Sequence, residues 1–192
     1  MTGRRATVLI VDDNSAIAET YASFLEDDYE VLTAYGGREA LETVDPTVDV
    51  VLLDRRMPEA GGDEVLAEID TRALDCRVVV LTAVDPEFDI VDMPVDAYVT
   101  KPVKRSEVRD IVAEMVRRAG YDDELRQFLA LASKKVALER EKDGGALAAS
   151  EEYERIERRL AEKRERLGIE TDEIEGTFAD TVPDIEADRL SE

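Results

Sequence analysis

Polar side chains that suit phosphoryl chemistry follow four apolar runs of the sequence, each at the residue where the run ends. The first run ends at Asp12 and Asp13, and a later one ends at Asp54. The last two runs end at Thr82 and at Lys101. Together these residues offer three carboxylates, a hydroxyl and an ammonium. Carboxylate oxygens bind hard divalent cations, and hydroxyl and ammonium groups bind phosphoryl oxygens, so the set suits a cation beside a phosphoryl group.

Parallel strands joined by helices would bring these residues together. The apolar runs have the length of buried strands, and Ile17, Tyr21 and Leu25 follow the helical spacing expected of a crossover helix. The alternation over residues 5–119 predicts a three-layer α/β domain in which the carboxyl ends of the strands share one edge of the sheet. Prolines at 86 and 94 leave little room for a regular crossover helix before Lys101, so the fourth helix is predicted to be shortened or missing.

Composition narrows the functional classes. The net charge of -22, from 47 acidic and 25 basic residues, argues against nonspecific attraction to DNA or anionic membranes. We interpret this acidity as an adaptation to high salt, where the charges are screened. The chain has no histidine, so any phosphohistidine must come from a partner, and its single cysteine, Cys76, cannot form an intrachain disulfide. No apolar stretch has the length of a membrane span or a signal peptide, so we expect a soluble, cytoplasmic protein.

The composition changes after the α/β region, which suggests three parts. Residues 1–119 form the predicted α/β domain, residues 120–168 two helices joined by a glycine turn at Gly144, and residues 169–192 an acidic, disordered tail. The second helix carries a heptad-like apolar stripe, formed by Tyr153, Ile156, Leu160 and Leu167. This stripe is too narrow for an independent core, so the two helices must pack on each other, on the first domain, or on a second chain as a homodimer. The sequence leaves these alternatives open.

Four motifs at the strand ends carry a family resemblance. They are Val-Asp-Asp-Asn at residues 11–14, Leu-Leu-Asp-Arg-Arg-Met-Pro at 52–58, Leu-Thr-Ala at 81–83 and Tyr-Val-Thr-Lys-Pro at 98–102. Over residues 5–119 the chain resembles the receiver domain of two-component response regulators. The resemblance implies a flavodoxin-like, doubly wound, five-stranded parallel sheet with strand order 2-1-3-4-5.

The resemblance also implies roles for individual residues. Asp54 would accept a phosphoryl group from the phosphohistidine of a sensor histidine kinase or phosphotransfer protein in a Mg²⁺-dependent reaction, with Thr82 and Lys101 contacting that group. Thr82 and Tyr98 would form the conformational switch. The implied metal ligands are the carboxylates of Asp12, Asp13 and Asp54 and the backbone carbonyl of Arg56. Such a protein phosphorylates and dephosphorylates itself and is not an enzyme acting on other substrates.

The C-terminal region carries a second resemblance. The sequences Leu-Arg-Gln-Phe-Leu-Ala-Leu-Ala-Ser-Lys-Lys-Val-Ala-Leu-Glu at 125–139 and Ser-Glu-Glu-Tyr-Glu-Arg-Ile-Glu-Arg-Arg-Leu at 150–160 resemble the HalX domain found after receivers in halophilic archaeal proteins. The resemblance covers residues 120–168 and implies no defined output activity.

We therefore interpret the chain as a response regulator that signals through its C-terminal helices to an unidentified downstream protein. One alternative is a DNA-binding transcriptional regulator that uses basic residues of the last helix, namely Arg155, Arg158, Arg159, Lys163, Arg164 and Arg166. Glutamates interleaved with these residues favour an ion-paired, solvated helix face instead. The other alternative, a metal-dependent phosphatase, is disfavoured because Arg56 stands where a second aspartate would have to act as acid and base.

Overall fold

The computed structural model describes residues 4–169, and its centre is a parallel sheet of five strands. The strands are β1 (Thr7–Val11), β2 (Glu30–Ala34), β3 (Val50–Leu53), β4 (Arg77–Thr82) and β5 (Ala97–Thr100). They are ordered β2-β1-β3-β4-β5, and every neighbouring pair is parallel. The predicted flavodoxin-like sheet and its strand order are confirmed.

Seven α-helices accompany the sheet within residues 4–169. They are α1 (Ser15–Leu25), α2 (Gly37–Thr43), α3 (Gly62–Thr71), α4 (Arg105–Arg118), α5 (Asp123–Glu141), α6 (Gly144–Ala148) and α7 (Glu151–Leu167). Between β4 and β5 the chain forms only a short 3-10 helix, Phe88–Asp92, hereafter the 88–92 turn. The prediction of a shortened fourth crossover helix is confirmed, and α4 is the helix that follows β5.

Strands β1 and β3 are buried on both faces, which explains why they are apolar at nearly every position. Val8 and Ile10 of β1 pack with residues of α1 and α4 on one face of the sheet. Leu9 and Val11 point to the opposite face and join a cluster with residues of α2 and α3. This alternation follows from the two-residue period of side chains along a strand.

The C-terminal helices α5 and α7 pack against the receiver-like region. Leu131, Leu138, Tyr153 and Ile156 belong to the same hydrophobic cluster as the strand residues, and Ile156 and Leu138 are 0% exposed. Helix α5 contacts β5 and the 88–92 turn, while α7 contacts α5 and that turn. The hairpin therefore fills the space beside the shortened fourth crossover. Because α5 and the α/β domain together bury Tyr153 and Ile156 of the apolar stripe, the stripe no longer argues for a homodimer through residues 120–168.

The connection between α5 and α7 differs from the predicted glycine turn. The side chain of Asp143 accepts hydrogen bonds from the amides of Gly145 and Ala146, at 2.9 and 3.0 Å, and so caps the short helix α6. The two glycines thus begin a helical turn instead of forming a simple loop. Of the predicted acidic tail, residues 170–192 lie outside the described residues. Among residues 4–169, no helix combines the length and the apolarity that crossing a membrane requires.

Candidate functional site

The carboxyl ends of β1 and β3 place two aspartates side by side. Val11 and Leu53 are register partners, so Asp12 and Asp54 leave the sheet at the same level. The amide of Asp54 donates a hydrogen bond of 2.8 Å to the carbonyl of Val11, which fixes the start of the loop after β3 to β1. Asn14 caps α1 immediately after this point, and its amide donates to Oδ1 of Asp12 at 2.9 Å. Backbone pairing and helix capping therefore determine where both carboxylates lie.

Both oxygens of the Asp54 carboxylate are engaged. Oδ1 accepts a hydrogen bond from the hydroxyl of Thr82 at 2.8 Å and one from the amide of Arg56 at 3.1 Å. Oδ2 accepts from the ammonium of Lys101 at 2.8 Å. The structure thus brings together Asp54, Thr82 and Lys101, as the sequence predicts. The carboxylate is therefore surrounded by a hydroxyl, an amide and an ammonium donor.

Lys101 bridges two of the carboxylates. Its Nζ lies 2.5 Å from Oδ2 of Asp12 and 2.8 Å from Oδ2 of Asp54, and its side chain is 10% exposed. Burial lowers the pKa of Lys101, but the hydrogen bonds and charges of the two carboxylates outweigh this effect and raise the pKa above its usual value. Lys101 is therefore a permanent cation in the crevice. The peptide bond between Lys101 and Pro102 is cis.

The three aspartates form a potential cation site. Asp12, Asp13 and Asp54 each offer a carboxylate oxygen, and these oxygens lie within 4.8 Å of one another. Asp12 is buried and Asp13 is exposed, so the site opens to solvent on one side. The single ammonium of Lys101 leaves the three carboxylates with excess negative charge. The donor set fits a hard divalent cation that prefers oxygen ligands.

The two other residues implied by the family resemblance are placed differently. Tyr98 is 5% exposed, and its hydroxyl donates a hydrogen bond of 2.8 Å to the carbonyl of Val84. Burial raises the pKa of Tyr98, while contact with the Arg55 guanidinium lowers it in part. The side chain of Arg56 is exposed. Its amide reaches Asp54, whereas the predicted role of its carbonyl as a metal ligand stays a prediction.

Gly62, the first residue of α3, permits the loop after β3 to lie close to that helix. A side-chain carbon at Gly62 would come within 2.6 Å of the Asp54 carbonyl oxygen and 2.8 Å of Cα of Arg55. No other residue type fits this approach without moving the backbone. Gly62 therefore helps to position Asp54 through the packing of the helix that follows it.

Arg55 and Asp89 form a contact that the sequence analysis missed. The Arg55 guanidinium pairs with Asp89 of the 88–92 turn and, at 3.3 Å, with Asp63 of α3. The hydrogen bond to Asp89 raises the pKa of Arg55, which therefore stays charged. The position of Arg55 directly after Asp54 could have indicated that its side chain lies near the crevice. Nothing in the sequence pattern connects it to Asp89, 34 residues away.

A buried lysine under the C-terminal helices was also missed. Lys134 of α5 is 5% exposed, and its Nζ donates to the carbonyls of Met93 and Val91 at 2.5 and 3.3 Å. Burial and the nearby Arg159 lower the pKa of Lys134 to about 8, although Asp96 and Asp92 oppose this shift. Nothing in the sequence around Lys134 indicates its burial, because the carbonyls that it contacts belong to Val91 and Met93, about 40 residues earlier in the chain.

Two family models match the chain. The response regulator receiver domain matches residues 8–113, and the HalX domain matches residues 117–188. Both agree with the resemblances that the motifs carry.

Curated relatives match part of their own length. A Haloferax volcanii protein whose name refers to transcriptional regulation is 53% identical over 133 residues, which cover 69% of this chain and 23% of that protein. The alkaline phosphatase synthesis transcriptional regulatory protein PhoP of Bacillus subtilis is 37% identical over 119 residues, covering 58% of this chain and 49% of that protein. The chain therefore spans about a quarter of the first relative and about half of the second.

Solved receiver domains share the fold. The response regulator TrrA of Thermotoga maritima, solved in complex with Mg²⁺ and a beryllium fluoride, is 33% identical, with a TM-score of 0.51 over 57% of this chain and 98% of that chain. A receiver domain protein of Clostridium thermocellum is 30% identical, with a TM-score of 0.53 over 59% of this chain and 95% of that chain.

Proposed function

Because the chain belongs to the family of response regulator receiver domains, we propose that Asp54 accepts a phosphoryl group from the phosphohistidine of a sensor histidine kinase or a phosphotransfer protein. One observation carries the proposal. The Asp54 carboxylate lies at the centre of the crevice, with the Thr82 hydroxyl on one oxygen and the Lys101 ammonium on the other, both at 2.8 Å. The partner must supply the phosphohistidine because this chain contains no histidine.

The proposed transfer is a direct displacement at phosphorus. A carboxylate oxygen of Asp54 forms the new P–O bond while the P–N bond to the donor imidazole breaks, and the imidazole, protonated on its other ring nitrogen, leaves as the neutral ring. The Lys101 ammonium and the Thr82 hydroxyl then bind phosphoryl oxygens and offset the charge that the new group adds. This is phosphorylation of the protein itself, so no external substrate is turned over.

We assign Mg²⁺ to the acidic group beside Asp54. Asp12, Asp13 and Asp54 would hold the ion through carboxylate oxygens, with the backbone carbonyl of Arg56 as a further ligand. When bound, the ion reduces the repulsion between the acceptor carboxylate and the incoming phosphoryl group. The three carboxylates carry more negative charge than the Lys101 ammonium offsets, and this excess charge favours the binding of a cation in the crevice.

The change at Asp54 would be sensed by Thr82 and Tyr98. A phosphoryl group on Oδ1 of Asp54 would take the place of the present hydrogen bond from the Thr82 hydroxyl, which would then turn to a phosphoryl oxygen. Thr82 ends β4 two residues before Val84, whose carbonyl holds the buried hydroxyl of Tyr98. A movement of the segment after β4 would therefore act on Tyr98.

The signal would leave through the C-terminal helices to a downstream protein. DNA binding by α7 is the alternative that the name of the Haloferax relative raises. The geometry favours the protein partner because basic residues of α7 already pair with acids. Arg155 binds Asp92 at 2.8 Å and Lys163 binds Glu124 at 2.9 Å, which leaves less positive charge for phosphates.

Phosphorylation with a small phosphoryl donor tests the proposal. In high salt, the wild-type protein should gain one phosphate by intact mass when both Mg²⁺ and acetyl phosphate are present, and none when Mg²⁺ is removed by a chelator. Asp54→Asn should gain none. Asp85→Asn is the matched control, because Asp85 is an exposed aspartate outside the crevice, and it should behave as wild type. Equal phosphorylation of Asp54→Asn and wild type would rule out Asp54 as the acceptor.

A further inference from the structure

The 88–92 turn is the part of the receiver that both α5 and α7 contact. Asp92 of the turn binds the Arg155 guanidinium of α7 at 2.8 Å. Just before the turn, Glu87 binds the ammonium of Lys142 at the end of α5, also at 2.8 Å. At its other end, the carbonyl of Met93 accepts a hydrogen bond from the buried Lys134 of α5 at 2.5 Å. A shift of the turn would therefore break the ion pairs and the hydrogen bond that join it to α5 and α7.

Arg55 also connects the 88–92 turn to the loop that follows β3 and contains Asp54. Its guanidinium pairs with Asp89 in the middle of the turn, where the Arg55 side chain is 18% exposed and the Asp89 side chain is 51% exposed. The backbone of Arg55 follows that of Asp54 directly. A continuous series of contacts thus joins Asp54, the turn and the C-terminal helices.

The pKa of Tyr98 responds to charges on the loop after β3 and on the 88–92 turn. Burial raises the pKa of Tyr98, Arg55 lowers it, and both Asp89 and Asp54 raise it. The Tyr98 ring therefore lies in the field of the acceptor, the arginine and the turn. Arg55 is the next residue after Asp54 in the chain. A phosphoryl group would bring additional negative charge to Asp54 and would compete with Asp89 for the Arg55 guanidinium.

We propose that Arg55 is a positioning residue that holds the 88–92 turn, and through it α5 and α7, in the docked arrangement, and that a phosphoryl group on Asp54 draws its guanidinium away from Asp89. The inference rests on the proposed function of Asp54. Release of Asp89 loosens the turn, so phosphorylation weakens the docking of the hairpin. The regulated output is then the exposure of the hairpin face that the receiver covers.

Amide hydrogen exchange measures this docking directly, because amides of a loosened helix exchange faster. Phosphorylating the wild-type chain with acetyl phosphate and Mg²⁺ should speed exchange in peptides from α5 and α7 by about fivefold or more, the lower end of allosteric coupling. Arg55→Gln and Asp89→Asn should show this faster exchange without phosphate and change little on phosphorylation. Arg55→Lys, which keeps a cation, should restore part of the difference, and Asp85→Asn should respond as wild type.

Phosphate incorporation, read by intact mass on the same samples, separates the inference from the proposed function. If Asp54 is phosphorylated but wild-type α5 and α7 exchange at an unchanged rate, the coupling is refuted while the acceptor role stands. The same holds if Arg55→Gln and Asp89→Asn respond to phosphorylation as strongly as wild type. If Asp54 takes no phosphate, the proposed function fails and the coupling fails with it.

Discussion

Two buried lysines have different surroundings in the crevice and in the docking surface, which is the contact between the 88–92 turn and helices α5 and α7. Lys101 lies between Asp12 and Asp54, and these carboxylates raise its pKa in spite of its burial. Lys134 meets backbone carbonyls instead, and burial together with Arg159 lowers its pKa to about 8. The crevice thus stabilises a cation with full opposite charges, whereas the docking surface holds one at a cost in stability. A lower stability at this surface agrees with the proposal that the C-terminal helices undock from the 88–92 turn when Asp54 is phosphorylated.

Truncation of Ile156 should have the largest effect on stability, because it tests whether the docking surface and the sheet share one core. Ile156 is 0% exposed and belongs to the cluster that includes Val80 and Leu53. Ile156→Ala should lower the free energy of unfolding by about 2–5 kcal/mol in a single cooperative transition. Leu167→Ala, at the half-buried end of α7, should cost about 1 kcal/mol or less. Equal losses in chemical denaturation, or two separate transitions, would show that the hairpin is not part of the receiver core.

The crevice offers a matched pair of aspartates with unequal structural roles. Asp12 is buried against Lys101, so Asp12→Ala removes one of the two partners of a buried ammonium and should cost about 1–3 kcal/mol. Asp13 is exposed, so Asp13→Ala should change stability by about 0.5 kcal/mol or less. Both changes should weaken Mg²⁺ binding in a titration. A Mg²⁺ affinity that is unchanged in both variants would contradict the assignment of the ion to these carboxylates.

Lys134 should make stability depend on pH in a narrow range. Its pKa is about 8 when folded and about 10.4 in an unfolded chain, so the unfolded chain binds more protons between these values. Stability should therefore rise with pH, by about 1 kcal/mol from pH 7 to 9. Lys134→Met removes the titrating group and should flatten this rise. Denaturation at both pH values measures the difference, and an equal rise in the variant would show that another group is responsible.

The strand-end chemistry could be predicted from the sequence because each residue follows directly on an apolar run. Asp54, Thr82 and Lys101 needed only parallel strands to meet, and the strand order confirms that arrangement. The Arg55 to Asp89 pair and the burial of Lys134 could not be predicted in this way. Both depend on how the 88–92 turn replaces a helix and on which face of the hairpin meets it. Such contacts arise from three-dimensional packing and leave no periodic signal in the chain.

Chemical mapping of the phosphorylated residue distinguishes Asp54 from the other aspartates. Borohydride reduces an aspartyl phosphate to homoserine, so the acceptor position can be read by peptide sequencing of the wild-type chain after treatment with acetyl phosphate and Mg²⁺. We expect homoserine at position 54 and unmodified aspartate at Asp12, Asp13 and Asp85. Homoserine at Asp12 or Asp13, or no homoserine in a protein that carries phosphate by mass, would contradict this expectation.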